Sequence, residues 1–162
     1  MQRMIKLTIG LMLQSVLLCS GCKTLENQPL TPFNPPPNAN TIVIEKTDNA
    51  VNFLLEYAKH LQDFGFSIEK VDKELLTLST DFKSYKFGGV AVIKIIAFAR
   101  QNGSKSILEI KGNIEVSNPL GGQVPFNACN CGSWGDARKN GFNEILKTLD
   151  NFAYDSIEFV IK

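Results

Sequence analysis

The sequence has few residues that serve as metal ligands or catalytic bases, and its net charge is close to zero. His60 is the only histidine, which excludes a zinc site built from several histidines. We interpret His60 as a partly exposed residue of a helix. The formal charge is +1, and without residues 1–22 it becomes −1, because 15 basic and 16 acidic residues remain. This balance does not favour nucleic acid as a partner, and we expect none.

Long hydrophobic runs are also missing. The apolar stretch Leu7–Leu18 has 12 residues, and a helix of that length covers about 18 Å of a hydrocarbon core about 30 Å thick. It is too short for a comfortable transmembrane helix. Because Arg3 and Lys6 precede it and small residues follow it, the stretch instead predicts a secretory signal peptide over residues 1–21.

The end of this segment, Leu18-Cys19-Ser20-Gly21-Cys22, resembles the lipobox of bacterial lipoproteins, with Cys19 where the family usually has leucine. The resemblance implies that Cys22 is lipidated on its sulfur and becomes the mature N-terminus. Acyl chains would then hold the protein at the membrane, on the extracytoplasmic side of the cell envelope. Lys23, where aspartate would favour the inner membrane, implies the outer membrane if the host is Gram-negative.

Residues 22–40 are predicted to form a lipid-anchored, proline-rich tether. The stretch 23–40 holds five of the seven prolines, among them Pro35-Pro36-Pro37. Proline fixes φ and removes a backbone donor, so the segment should be extended, without stable helix or sheet. Fully extended, it would span roughly 55 Å. A spacer is preferred here over a proline-rich ligand for a partner.

The remaining residues, 41–162, are predicted to form a single α+β domain. Their apolar patterns predict the order β-α-β-β-β-β-α with a further strand at the end. Consecutive strands joined by short turns favour an antiparallel sheet of about four or five strands, covered on one face by two helices. At fold level this arrangement is similar to outer-membrane accessory lipoproteins such as the BamC component of the β-barrel assembly machine.

Local signals place several elements of this domain. Thr47 is the expected N-cap of a first helix that ends at Gly65. Ser133 to Asp136 has the form of a capping box that opens the second helix. The Asn102-Gly103 pair predicts a turn between two strands. Residues 117–132 are rich in glycine, proline and asparagine and are predicted to be loop.

No pattern in the sequence predicts catalysis. Carboxylates are scattered over predicted turns and wet strand faces, and their spacing does not bring them together in a cleft. The glycine pairs Gly88-Gly89 and Gly121-Gly122 lack the lysine and hydroxyl residues of a phosphate-binding loop. We therefore expect no enzyme activity, no catalytic residue, no metal and no cofactor.

The most informative segment is 117–135, which is longer than most connections and carries Phe126, Cys129, Cys131 and Trp134. The cysteines are interpreted first as a disulfide, since an exported protein meets oxidising conditions. Free or partner-linked thiols and a soft-metal or redox site stay open as alternatives. Phe126 and Trp134 are candidate interaction residues, although Trp134 is also typical of a hydrophobic plug at a helix start.

Two hypotheses about function arise from these features. The leading one is a lipid-anchored envelope accessory protein without catalytic activity, which binds another envelope protein through a sheet edge or the 117–135 loop. The alternative is a lipoprotein that binds a small molecule or metal in a groove between sheet and helices, with the cysteine loop as a lid. A redox enzyme is least favoured, because no Cys-x-x-Cys motif lies at a helix start.

Overall fold

The structure is a computed structural model that describes residues 33–162 apart from 88, 118–120 and 133–135. The predicted signal peptide, Cys22, most of the predicted tether and Trp134 lie outside these residues. The chain divides into two compact units, Met1–Phe33 and Asn34–Lys162, and the second holds the helices and strands of the described residues. In the described part of the chain, no helix has the length and apolar character needed to cross a membrane.

Eight strands and two helices succeed one another along the described residues. In chain order they are β1 (Thr41–Lys46), α1 (Ala50–Asp63), β2 (Ile68–Asp72), β3 (Thr77–Thr80), β4 (Lys83–Phe87), β5 (Gly89–Asn102), β6 (Lys105–Ser117), β7 (Gln123–Asn127), α2 (Ala137–Lys147) and β8 (Ser156–Val160).

The sheet is built around one long hairpin of β5 and β6. The two strands pair from Ala91 with Val116 to Asn102 with Lys105, and Gly103 in the turn has a positive φ of 61°. On the side away from β6, β5 pairs with β3 and β4. On the side away from β5, β6 pairs with β1 and β7. β2 and β8 extend the sheet beyond β3 and β1, and all these pairings are antiparallel.

The α+β class and the antiparallel sheet are confirmed, but the predicted four or five strands are wrong, because the sheet has eight. The sequence pattern hides β4, since its helix-facing side chains are Lys83 and Tyr85 in place of aliphatic residues. The Lys83 ammonium donates to the Phe64 carbonyl, and the Tyr85 hydroxyl donates to the Ala137 carbonyl at 2.9 Å. Long side chains of this kind bury their stems while their polar tips bind helix ends.

β7 shows that the prediction of loop throughout 117–132 is wrong. Its five residues pair with the end of β6, from Gln123 with Ser117 to Asn127 with Asn113. Gly121 and Gly122 have positive φ values of 90° and 102°, which allow the chain to reverse before the strand. Pro125 argues against a strand in the sequence, but β7 has β6 as its only partner among the described residues, and proline is tolerated on such a strand.

Both helices pack on the same face of the sheet. The central strands present buried side chains to them at alternate positions, namely Ala91, Ile93, Ile95 and Ala97 of β5 and Leu108, Ile110 and Ile114 of β6. Two glycines permit close contact with α2: a Cβ on Gly112 would approach Ile145 Cδ1 to 2.5 Å, and one on Gly141 would overlap Ile114 Cδ1. These glycines explain how strand and helix backbones approach so closely.

The helix N-caps differ in part from the predicted ones. Asn49, and not Thr47, caps α1 with its side chain. Thr47 is engaged elsewhere, because its amide and hydroxyl both donate to the Asp155 carboxylate, at 2.7 and 2.8 Å. Asp136 caps α2, while Ser133, at the other end of the predicted capping box, lies outside the described residues.

Candidate functional site

Three of the predicted site residues fall within one short stretch of the described chain. Phe126 lies on β7, and Cys129 and Cys131 lie in the turn that connects β7 to α2. The other two, Cys22 and Trp134, lie outside the described residues. The candidate site is therefore built from β7 and the turn 128–132, which we call the cysteine turn.

β7 is exposed along its whole length. Val124 and Phe126 lie two positions apart on the same side of the strand, and each is 40% exposed. Their cross-strand neighbours on β6 are Val116 and Ile114, and Ile114 is fully buried in the core. The apolar face of the sheet therefore continues beyond the core to a solvent-exposed apolar pair, Val124 and Phe126.

The backbone of β7 is paired on one side. The Ala128 amide donates to the Gly112 carbonyl at 2.8 Å, so by the alternation of an antiparallel ladder the amides of Val124 and Phe126 also face β6. Pro125 takes the outward position, where its nitrogen has no hydrogen to donate. An incoming strand would lack a donor in the middle of this edge, which disfavours open-ended strand pairing.

The cysteine turn binds the last residues of the predicted tether. A disulfide joins Cys129 and Cys131, whose Cα atoms are 5.2 Å apart. Asn130 between them makes four hydrogen bonds of 2.6 to 3.0 Å through its backbone and side chain, with the carbonyls of Pro35, Pro36 and Ala39 and the amide of Asn38. Proline has a backbone carbonyl but no backbone N–H, so the carbonyls of Pro35 and Pro36 can only accept, and the Asn130 side-chain amide donates to both.

The same turn is tied to the start of α2. The Cys129 amide donates to the Arg138 carbonyl at 3.2 Å. The Arg138 guanidinium binds the Asp136 carboxylate at 2.6 Å, and this hydrogen bond lowers the pKa of Asp136 below its ordinary value. Gly132 has a φ of 80°, and a side chain there would collide with Asp136. Cysteine turn, helix start and segment 34–40 therefore form one connected structure.

Sequence reasoning missed Asn130 and the packing of segment 34–40 on the domain. The side chain of Asn130 binds residues 94 and 95 positions earlier, so no local pattern connects the partners. An asparagine between two cysteines was visible, but asparagine in a turn is usually explained by local turn geometry. Ala39 is fully buried in the structure, but an isolated alanine carries no sequence signal for such packing.

The side chains of β7 and the cysteine turn are apolar groups, side-chain amides and the disulfide. Among the described residues, no group of three or more His, Cys, Asp or Glu side chains is placed to hold a metal ion. The space between sheet and helices, where the alternative hypothesis placed a ligand groove, holds buried core side chains such as Phe53, Leu54 and Phe142. No protein-family model matches the chain, and none of the curated proteins matches its sequence.

Proposed function

We propose that this protein is a lipid-anchored accessory protein of the cell envelope, without catalytic activity, that binds another envelope protein through the apolar pair Val124 and Phe126. Lipid on Cys22 is the anchor, in the outer membrane if the host is Gram-negative. The observation that carries the proposal is the exposure of this pair on a strand whose five residues are all exposed. Neighbouring large apolar side chains in water favour burial against a partner.

The size of this surface indicates what kind of binding to expect. Covering the exposed 40% of each side chain contributes about 1 kcal/mol per residue. That is small beside the cost of association in solution. A shared membrane lowers this cost, because two anchored proteins meet at a high effective concentration. A weak docking surface is therefore sufficient for a tethered protein.

Backbone geometry favours binding through side chains. Pro125 leaves the free edge of β7 without a central donor, so addition of a partner strand is disfavoured. The apolar pair also lies close to the point where the tether joins the domain, since Asn130 comes three residues after the end of β7 and binds segment 34–40. Docking at β7 would therefore occur next to the attachment of the membrane tether.

The anchor is tested by intact-mass analysis of the chain extracted from membranes. We expect a polypeptide that begins at Cys22 and carries the mass of acyl chains. Cys22→Ser is the matched variant, and it should leave an unprocessed, unacylated chain. A full-length chain without acyl mass in the unchanged protein would contradict the anchor.

The docking surface is tested by a photo-crosslinking phenylalanine analogue in place of Phe126, with Phe98 as the control. Phe98 is matched in type and exposure, at 42% against 40%, but it lies on the opposite face of the sheet. We expect a discrete protein adduct in membranes from position 126 and not from 98, reduced by Val124→Asp. The same adducts from both positions, or none from 126, would refute docking at this pair.

A further inference from the structure

A second surface lies on the face of the sheet opposite the helices, which we call the open face. Beside β6, the strands β1 and β7 do not meet: β1 begins at Thr41, β7 ends at Asn127, and Gly112 of β6 lies between their paired regions. This interruption leaves a depression of about 340 Å³, with Asn40, Lys111, Asn113 and Lys162 also in its lining. A depression of this volume falls within the range of small-ligand sites.

The depression offers hydrogen-bond donors and positive charge, and no carboxylate lines it. On the far rim, the Lys162 ammonium is paired with Glu109 at 2.5 Å, and the Asn40 side chain binds the Lys162 backbone. Lys111, Asn113 and Asn127 differ, because their side chains have no hydrogen bond or ion pair with another described residue. The Lys111 ammonium lies over the Phe98 ring, 5.9 Å from its centroid, and such an exposed cation-π contact is weak. Three polar side chains are therefore available to a ligand.

A neighbouring depression of about 260 Å³ extends this surface along β7. The two share Asn113 and Asn127, which are cross-strand neighbours. The second adds apolar surface from Phe82, 44% exposed, and from Pro125, together with Glu115. Together they form one groove on the open face, with an ammonium near one end, two amides in the middle, and an apolar region beside the Glu115 carboxylate at the other end. The negative charge of Glu115 favours binding of a ligand carboxylate at the Lys111 end.

We propose that this groove binds a saccharide chain that carries a carboxylate. The hydroxyl and amide groups of sugars would pair with Asn113 and Asn127, which can both donate and accept. The C–H faces of the rings would pack on Phe82 and Pro125, and the carboxylate would bind the Lys111 ammonium. A purely apolar ligand would leave the amides and the ammonium without partners, and an inorganic anion would leave Phe82 unused.

The groove and the docking surface lie mainly on opposite faces of β7, although Phe126 also lines the second depression. Side chains alternate along a strand, so Pro125 and Asn127 face the groove while Val124 and Phe126 face the other side of β7. Saccharide and protein would then bind opposite faces, and loss of one interaction would not imply loss of the other.

The test is an NMR titration of the ¹⁵N-labelled full-length chain in a detergent without a sugar headgroup. The probes are a tetrasaccharide of alternating N-acetylglucosamine and N-acetylmuramic acid, which carries carboxylates, and the neutral tetramer of N-acetylglucosamine. We expect the acidic chain to shift the side-chain amide signals of Asn113 and Asn127. One charge-assisted hydrogen bond should make it bind about tenfold more tightly than the neutral chain.

Variants assign the contacts. Lys111→Met should abolish the preference for the acidic chain, and the double variant Asn113→Ala, Asn127→Ala should lose binding of both chains. Asn143→Ala on the exposed side of α2 is the control and should bind as the unchanged protein does; dispersed backbone signals would establish that each variant is folded. Equal binding of both probes, shifts that persist in the folded double variant, or no shift at Asn113 and Asn127 would overturn the proposal.

Discussion

The contact between β6 and α2 at Gly112 allows a quantitative test of the fold. A Cβ at this position would lie 2.5 Å from Ile145 Cδ1 and 3.1 Å from the Ala128 Cβ, so Gly112→Ala forces the helix or its side chains to move. Overpacking of this kind costs about 1–3 kcal/mol, partly offset by the lower entropy of the unfolded alanine chain, about 0.5–1 kcal/mol. We expect a net loss of about 1–2 kcal/mol in the free energy of unfolding.

Ile145→Val removes the Cδ1 atom that the new methyl group would meet, at a cost of about 1 kcal/mol by itself. If the clash is the cause, the double variant should be about 1 kcal/mol more stable than the sum of the single changes predicts. Urea unfolding of fragment 34–162, monitored by circular dichroism, measures all four corners of the cycle. Ile44→Val on β1 is the control and should add to Gly112→Ala without coupling. Additive behaviour with Ile145→Val would refute the assigned contact.

Three further predictions concern the cap of α2, the tyrosines and the cysteine turn. The Arg138 guanidinium lowers the pKa of Asp136, so the ionised carboxylate stabilises the fold above its ordinary pKa of 3.8, and this effect is lost as pH falls through the lower folded value. Asp136→Asn keeps a capping side chain, and its deficit in the free energy of unfolding, measured in urea, should therefore shrink below pH 4. A deficit that stays the same would contradict the pairing of Asp136 with Arg138. Burial raises the pKa of Tyr57, Tyr85 and Tyr154, and the pKa of Tyr85 rises to about 12. Ultraviolet titration of the folded fragment should therefore find less than half of the tyrosines ionised at pH 10, and the free energy of unfolding should fall as pH rises above 10. Normal tyrosine titration in the folded fragment would exclude these buried environments. Asn130→Ala removes the two side-chain bonds to Pro35 and Pro36, so amide exchange at Asn38 should accelerate while β5 and β6 stay protected, with Asn143→Ala as control; unchanged exchange would mean that the turn does not hold the segment.

The parts of the fold that can be predicted from the sequence are those in which the local residue pattern alone determines whether a side chain is buried or exposed. The apolar run of β5, the alternating aliphatic residues of β6 and the Asn102-Gly103 turn are of this kind, and all three are found in the structure. β4 was not predictable because Lys83 and Tyr85 fill inward positions with amphipathic side chains. β7 was not predictable because Pro125 excludes a strand only where its missing donor is needed. In both cases the structural role of the residue depends on its tertiary contacts, which the local sequence pattern does not contain.

The candidate site was predictable only in its location. Phe126, Cys129 and Cys131 directed attention to β7 and the cysteine turn, because functional residues are frequent in connecting segments. The residues that give the stretch its structure are Asn130 and the segment it binds, and they depend on partners far apart in the chain. The groove on the open face depends on where β1 begins and β7 ends along β6, which is a matter of strand register.

The interruption between β1 and β7 connects these features physically. Gly112 in the floor of the gap has no side chain, which lets α2 approach from the helix side, while the separation of β1 from β7 leaves the open side hollow. Ala128, which is buried, lies on the helix side of the gap, and the carbonyl of Ala39, also buried, accepts a hydrogen bond from the Asn130 amide. Because Asn38 and Ala39 bind the cysteine turn while Asn40 lines the groove, adjacent residues serve the tether attachment and the proposed ligand site. A larger residue at position 112 would disturb helix packing, because its Cβ would meet Ile145, Ala128 and Ile93 on the helix side, whereas changes at Asn113 or Asn127 should affect the groove on the open face.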